Sequence, residues 1–321
     1  MRVYPLVLIV LFFGTLVIGQ DQPAQSDQTH VEPPAAQEAS STAEVKPPDL
    51  TPGPDGKLSQ QQMQELFRVV ADKDLENHQK QRDYTYTDRE VENKLDGNGQ
   101  TKSTEVKTYE VVAIYGDPVR KLVAKDDKPL DTREAAKEDE KIQKIIDKRK
   151  DESEEQRKKR GQKEEKDRED GRKFVKEIAD AYTFTLVGTE SVAGREAWVI
   201  DGEPRSGFEP HMKDAKFLTK FRGRVWIDKN DLQLSKMDIE AIDTVAVGFV
   251  LARIHKGTRF MLEQTRVNDE VWLPRHVTFK VDARVALLKG FKFDGEDVYS
   301  DYKKFRTSSK IVGMGEVHDQ P

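Results

Sequence analysis

The natural candidates for acid–base or metal work are six histidines: His30, His78, His211, His255, His276 and His318. None lies within five residues of another, so a zinc site built from them would need three separate elements to converge on one ion. Isolated surface or half-buried histidines are the simpler reading. His255 or His276 would become interesting only in a cleft beside two carboxylates, where a hydrolase could use the group as acid and base. The acidic series Asp238, Glu240 and Asp243 offers a second chemistry, since glycosidases need two carboxyl groups roughly 5–10 Å apart. On a strand, however, alternate acids more simply form the outward face. The chain contains no GxSxG, no phosphate loop of the Walker type, no GxGxxG and no HExxH. It has no cysteine, which excludes disulfides, thiolate metal sites, a cysteine nucleophile and a lipid-modified N-terminal cysteine. These residues therefore assign no catalytic group, metal or cofactor.

The more informative constellation is aromatic. Residues i and i+2 of a strand share a face, which pairs Trp198 with Ile200, Val225 with Ile227, Phe260 with Leu262, Val271 with Leu273 and Phe291 with Phe293. Trp226 and Trp272 fall on the opposite face from their apolar neighbours. Strands apolar on both faces of an antiparallel sheet need cover on both. A helix supplies one cover; sheet packing or a bound apolar ligand supplies the other, and the pattern leaves open which face would line a cavity.

The elements that must hold these residues can be read along the chain. Met1-Arg2 followed by the apolar run Val3 to Ile18 reads as a signal peptide over residues 1–20, cleaved near Gly19 or Gln20. Residues 21–57 are rich in Pro and Gln and nearly devoid of large apolar side chains, as expected of a disordered linker. Ser59 with Gln62 forms a capping-box pattern, and Met63, Leu66, Phe67 and Val70 follow at helical spacing, predicting an amphipathic helix to about Gln79. Period-two runs from Asp83 to Leu95 and from Ser103 to Gly116, joined by the turn DGNG, begin an antiparallel meander that continues through Arg120 to Ala124.

The pattern then breaks. Residues 131–172 carry 15 acidic and 15 basic side chains and no aromatic one, which predicts a charged helical insertion, a hairpin turning at Gly161. After a short helix around Phe174 and Ile178, a second series of hairpins runs to about residue 305, interrupted by a helical or loop excursion between Gly207 and Phe221. Residues 313–321 form a tail.

Charge narrows the function classes. Lys+Arg number 54 against 59 Asp+Glu, a net charge of −5, which argues against a nucleic-acid binder. The basic run Arg157 to Arg160 is flanked by acids that cancel its field within a Debye length of about 8 Å.

A leader, an N-terminal amphipathic helix, a long meander, the strand GRVWID (Gly223 to Asp228) and the strand EVWLP (Glu270 to Pro274) together resemble the bacterial outer-membrane lipoprotein-sorting proteins of the LolA/LolB-like superfamily. This chain would be a divergent member with a charged insertion. The resemblance implies an α+β, mostly β fold over residues 58–312: an unclosed antiparallel half-barrel of about ten or eleven strands, with an N-terminal lid helix. It also implies a periplasmic, non-enzymatic carrier of acyl chains, lipids or lipoproteins, with no cofactor. Met63, Phe67 and Val70 would then be lid residues, and Trp198, Phe260, Leu262, Phe291 and Phe293 wall residues. Two other classes stay open: an envelope interaction protein that uses the charged helices to bind a partner, and an envelope hydrolase.

Overall fold

A computed structural model describes residues 48–115, 117–247, 252–285 and 290–305. The expected leader, most of the linker and the tail lie outside these residues. Among the described residues no helix is long and apolar enough to cross a membrane.

Among the described residues fourteen strands form one antiparallel sheet. In chain order they are β1 (Lys57–Leu58), β2 (Tyr84–Leu95), β3 (Thr101–Ile114), β4 (Asp117–Lys125), β5 (Lys128–Pro129), β6 (Tyr182–Val192), β7 (Arg195–Pro204), β8 (Phe221–Asp228), β9 (Leu234–Ala241), β10 (Val245–Val247), β11 (Ala252–Ile254), β12 (Arg259–Val267), β13 (Val271–Val285) and β14 (Phe291–Lys304). The main path runs β1-β6-β7-β8-β9-β12-β13-β14-β2-β3-β4-β5, with β10 and β11 as a short hairpin beside β13. Its terminal strands β1 and β5 do not pair with each other, so the sheet is an open half-barrel, as expected. The count exceeds ten or eleven because the short edge strands β1 and β5 and the side hairpin of β10 and β11 add to it. The stretch Val245 to Ile254, which reads as one strand, is instead that hairpin. Ala283 continues β13 rather than opening a new strand.

The two meanders become one sheet where β14 pairs with β2, from Lys292 opposite Leu95 to Lys304 opposite Tyr84. Helix α1 (Gln60–Gln81) starts with the expected capping box: Gln62 N–H donates to Ser59 Oγ at 3.2 Å, and Ser59 N–H donates to Gln62 Oε1 at 2.8 Å. It crosses the sheet from β6 to the start of β13. There Asn77 takes the place of a neighbouring strand: its Nδ2 donates to the Trp272 carbonyl at 2.8 Å, and its Oδ1 accepts from Trp272 N–H at 2.7 Å. A buried amide side chain that satisfies both backbone groups anchors the helix end.

The charged segment differs from expectation. It forms α2 (Thr132–Lys150) and α3 (Glu154–Ala181), so the chain turns at residues 151–153. Ser153 starts α3 with a capping box, and Gly161 is an ordinary helical residue inside it. The helix runs past Arg172 without a break, absorbs the short helix expected around Phe174, and packs its last turns on α1. There Gln64 Nε2 donates to Asp180 Oδ1 at 2.8 Å. α2 packs on β4, with Ile142 buried and Lys121 paired to Asp139 at 2.7 Å. Order also begins before Leu58. Leu50 belongs to the main core, and Gln62 Nε2 holds the carbonyls of Asp49 and Thr51 at 3.1 and 2.8 Å.

Candidate functional site

Register determines what the helix-bearing face of the sheet presents, because directly opposed residues of antiparallel strands share a face. From the β6 end, Phe184 opposes Gly202, Leu186 opposes Ile200, Ile200 opposes Val225 and Trp198 opposes Ile227. Val225 opposes Met237, Met237 opposes Leu262 and Ile239 opposes Phe260. The row continues through Leu262 to Val277, Phe260 to Phe279, Phe293 to Val281 and Phe291 to Ala283. One continuous apolar face therefore carries Trp198, Phe260, Leu262, Phe291 and Phe293, and α1 lies on it.

Helical cover is unequal along this face. Met63, Leu66 and Val70 of α1 are buried with Ile200, Ile227, Leu234 and Met237 in the main core, while Phe67 packs edge-on against Phe184 at 5.3 Å. The end of α3 and a 3-10 helix, Lys213–Lys220, fill the rest of this half, with Phe174 and Phe217 at 5.8 Å. Buried Glu177 of α3 accepts from His211 N–H at 2.5 Å, which fixes the start of that excursion. Trp198 and Phe260 pack partly buried at the margin of the core.

Phe291 and Phe293 do not join this core. They stack at 5.8 Å, and Phe293 meets Phe279 edge-on at 5.7 Å, all three half-buried. Phe279 lies across Gly295, where an added Cβ would sit 2.8 Å from its ring and collide with the Val91 carbonyl. The structure thus splits the sequence-derived residues: Met63, Phe67, Val70 and Trp198 belong to the half under α1, Phe291 and Phe293 to the half-buried aromatic strip, and Phe260 and Leu262 lie between.

Trp226 points the other way. It clusters with Val192, Ala197 and Val199, donates from Nε1 to Glu190 at 2.8 Å, and carries Lys236 Nζ 4.9 Å above its ring. The Trp272 ring is held by Asp231 at 2.8 Å and lies under Arg195 at 5.4 Å. Asp228, the end of GRVWID, is fully buried; Arg195 donates to it through Nε and Nη2 at 2.7 and 2.9 Å, and it accepts the N–H groups of Asn230 and Asp231. That motif builds the β8–β9 turn, whereas in EVWLP Val271 and Leu273 are buried and Pro274 sits beside the bulge of β12 and β13. Of the histidines, His255 meets Asp282 at 2.9 Å and His276 meets Glu296 at 2.8 Å, one carboxylate each.

Beyond Phe279 and Phe293 the same face turns polar. Asp297 opposes Glu90, Tyr299 opposes Asp88, Asp88 opposes Tyr109, Tyr86 opposes Val111, and Val111 opposes Arg120. Arg120 Nη2 bridges Asp88 Oδ2 at 2.8 Å and Glu90 Oε2 at 2.9 Å, and its guanidinium lies 3.9 Å above the Tyr109 ring. Burial pushes the Asp88 carboxyl up to about 6 despite Arg120. Burial, reinforced by the charges of Asp88 and Glu90, pushes Asp297 up to about 8. Burial acts to lower the Arg120 pKa, but Asp88 and Glu90 outweigh it and hold the group above its ordinary value. The hydroxyls of Tyr86 and Tyr109 are pushed up to about 12, chiefly by burial. Sequence reasoning missed this cluster, although the period-two run already set Asp88 and Glu90 on the same face as Tyr84 and Tyr86. On α1, burial pushes Asp74, one turn beyond Val70, up to about 7.

Solved structures of related architecture align with most of this chain. A domain described as an outer membrane lipoprotein-sorting protein from Vibrio parahaemolyticus is 11% identical, covers 79% of this chain and 96% of its own, and has a TM-score of 0.32. A DUF1329 family protein from Desulfovibrio piger is 10% identical over 77% of this chain and 95% of its own, with a TM-score of 0.26. A LolA superfamily protein from Nitrosomonas europaea is 10% identical over 76% and 94%, with a TM-score of 0.26. No family model and no curated protein matches the chain.

Proposed function

We propose that the protein is a non-enzymatic carrier of a hydrophobic ligand, an acyl chain of a lipid or lipoprotein, that works in the periplasm of a bacterial cell envelope after cleavage of its leader. The supporting observation is the uneven cover of one continuous apolar face. α1 seals one half, while Phe279, Phe291 and Phe293 remain half-buried on the other. Apolar surface that a fold leaves partly open favours occupation by an apolar ligand, worth about 0.8 kcal/mol per buried CH2. The ligand would lie along these rings with its end beside Phe260 and Leu262, and α1 would act as a lid hinged at its Asn77 anchor. Met63, Phe67 and Val70 are the lid side of this arrangement, and Trp198 backs it.

An environment-sensitive fluorescent fatty acid tests the reading. The wild type should bind it with saturable enhancement. Phe67→Glu places a carboxylate against Phe184, which loosens α1 and should change the extent of binding while the far-UV spectrum of the sheet persists. A wild type that binds no acyl probe, together with a mutant that melts globally, would overturn the carrier reading in favour of a packed structural protein.

A further inference from the structure

The polar end of this face holds more hydrogen-bonding capacity than its own residues use. Asp88 is only 3% exposed, and its Oδ2 is taken by Arg120. Its Oδ1 is buried with no hydrogen-bond partner among the described residues, and so are Asp297 Oδ1 and Arg120 Nε. Buried polar atoms are nearly always satisfied, so three such orphans on one face mark a place built for something else. The charge count gives the sign of the missing group. Asp88 and Glu90 already bind the single guanidinium, so Asp297 beside them holds its proton until a second cation arrives.

The rings around the cluster add to this preference. Tyr86 lies 5.9 Å from Tyr299 and 5.6 Å from Tyr302, so three aromatic rings gather on the strands that carry the carboxylates. Aromatic faces combined with carboxylates attract an organic cation. Among the described residues no group of His, Asp or Glu side chains is arranged to hold a metal ion, which favours an ammonium over a metal.

We propose that Asp88 and Asp297 receive the protonated amine of an amphiphile whose hydrocarbon chain lies on Phe279, Phe291 and Phe293. The ammonium N–H groups would satisfy Asp88 Oδ1 and Asp297 Oδ1, and Arg120 Nε would donate to a neutral oxygen near the amine. A carboxylate headgroup would instead meet the ionised Asp88 and Glu90 as like charges. The proposal rests on the carrier reading, because the chain subsite is the aromatic strip already described.

The test is competition against 1-N-phenylnaphthylamine on the full chain at pH 7, with dodecylamine, dodecanol and dodecanoate as competitors of equal chain length. Dodecylamine should displace the probe at a concentration at least tenfold below dodecanol, with dodecanoate weakest. Asp297→Asn and Asp88→Asn should cut the advantage of the amine to under threefold and leave dodecanol unchanged. Equal potency of amine and alcohol on the wild type, or a preference for dodecanoate, overturns the ammonium site and leaves the carrier reading standing. A wild type that binds neither the probe nor any competitor removes both. The wild-type comparison decides even if an Asn variant fails to fold.

Discussion

Beneath α1 the helix-bearing face is sealed by close-packed aliphatic side chains; from Phe279 to Tyr109 it is lined by half-buried rings and carries charge. Met63, Leu66, Ile200 and Ile227 are fully buried in the first half, where α1, α3 and the 3-10 helix interlock with β6–β9. The second half stacks Phe291 on Phe293 and sets Arg120 over Tyr109. Close packing maximises stability but leaves no room to exchange contents. Large flat rings beside polar groups bury less, yet they can trade solvent for a ligand without a cavity having to open. The two halves thus divide the work of holding the fold and offering a surface.

The sharpest test of that division sets one truncation against another. Leu66→Ala removes a fully buried side chain from the sealed half and should cost about 3 kcal/mol of stability. Phe293→Ala, in the half-buried stack, should cost about 1 kcal/mol or less and weaken acyl-probe binding at least fivefold. Urea unfolding and probe titration of both variants measure the contrast. If the two changes cost the same and neither alters binding, the face is a single core and the division fails.

Much of this arrangement is legible in the sequence, and the gaps have physical causes. Most local signals survive: the Ser59–Gln62 capping box, the strands of the first meander and the i, i+2 apolar pairs appear as read, because each depends on residues within a few positions. Three features depend on distant partners instead. The pairing of β14 with β2 joins residues about 200 positions apart, so nothing local announces that Asp297 will face Glu90. The helix turn at residues 151–153 rather than Gly161 follows from a second capping box at Ser153, a signal overshadowed by the more conspicuous glycine. Asp88 reads as the polar side of a strand until Arg120 arrives from β4.

An intermediate effect should appear in the pH dependence of stability. Asp297 titrates near 8 in the folded chain against an ordinary value of 3.8, first because it is buried and next because Asp88 and Glu90 face it, with Arg120 and Tyr299 partly relieving it. A raised carboxyl means that the folded protein keeps a proton that the unfolded chain gives up. Stability is therefore present below about pH 4 and is lost progressively as the pH rises towards 8. Asp297→Asn removes that loss. The variant should match wild type near pH 4 and exceed it by on the order of 2 kcal/mol at pH 8–9 in the absence of ligand. Thermal melts across this range check it. Parallel curves for the two proteins would show that the polar half is not under the electrostatic load described, which sharpens or removes its difference from the sealed half.

The smallest effect probes the sealed half from outside. Gly161 lies within α3, its φ is not positive, and an added Cβ would meet nothing within 4 Å. In an exposed helix interior glycine costs about 0.5–1 kcal/mol relative to alanine, through the backbone freedom it loses on folding. Gly161→Ala should therefore stabilise the protein by about that amount and deepen its helical signal slightly. Were Gly161 a turn with left-handed backbone, alanine would be strained there and the sign would reverse. Because the far end of α3 packs on α1, the gain belongs to the sealed half, and acyl-probe affinity on the open half should stay within twofold of wild type. A variant that gains stability and loses binding would show instead that stiffening α3 restrains the lid, coupling the two halves through the α1–α3 contact.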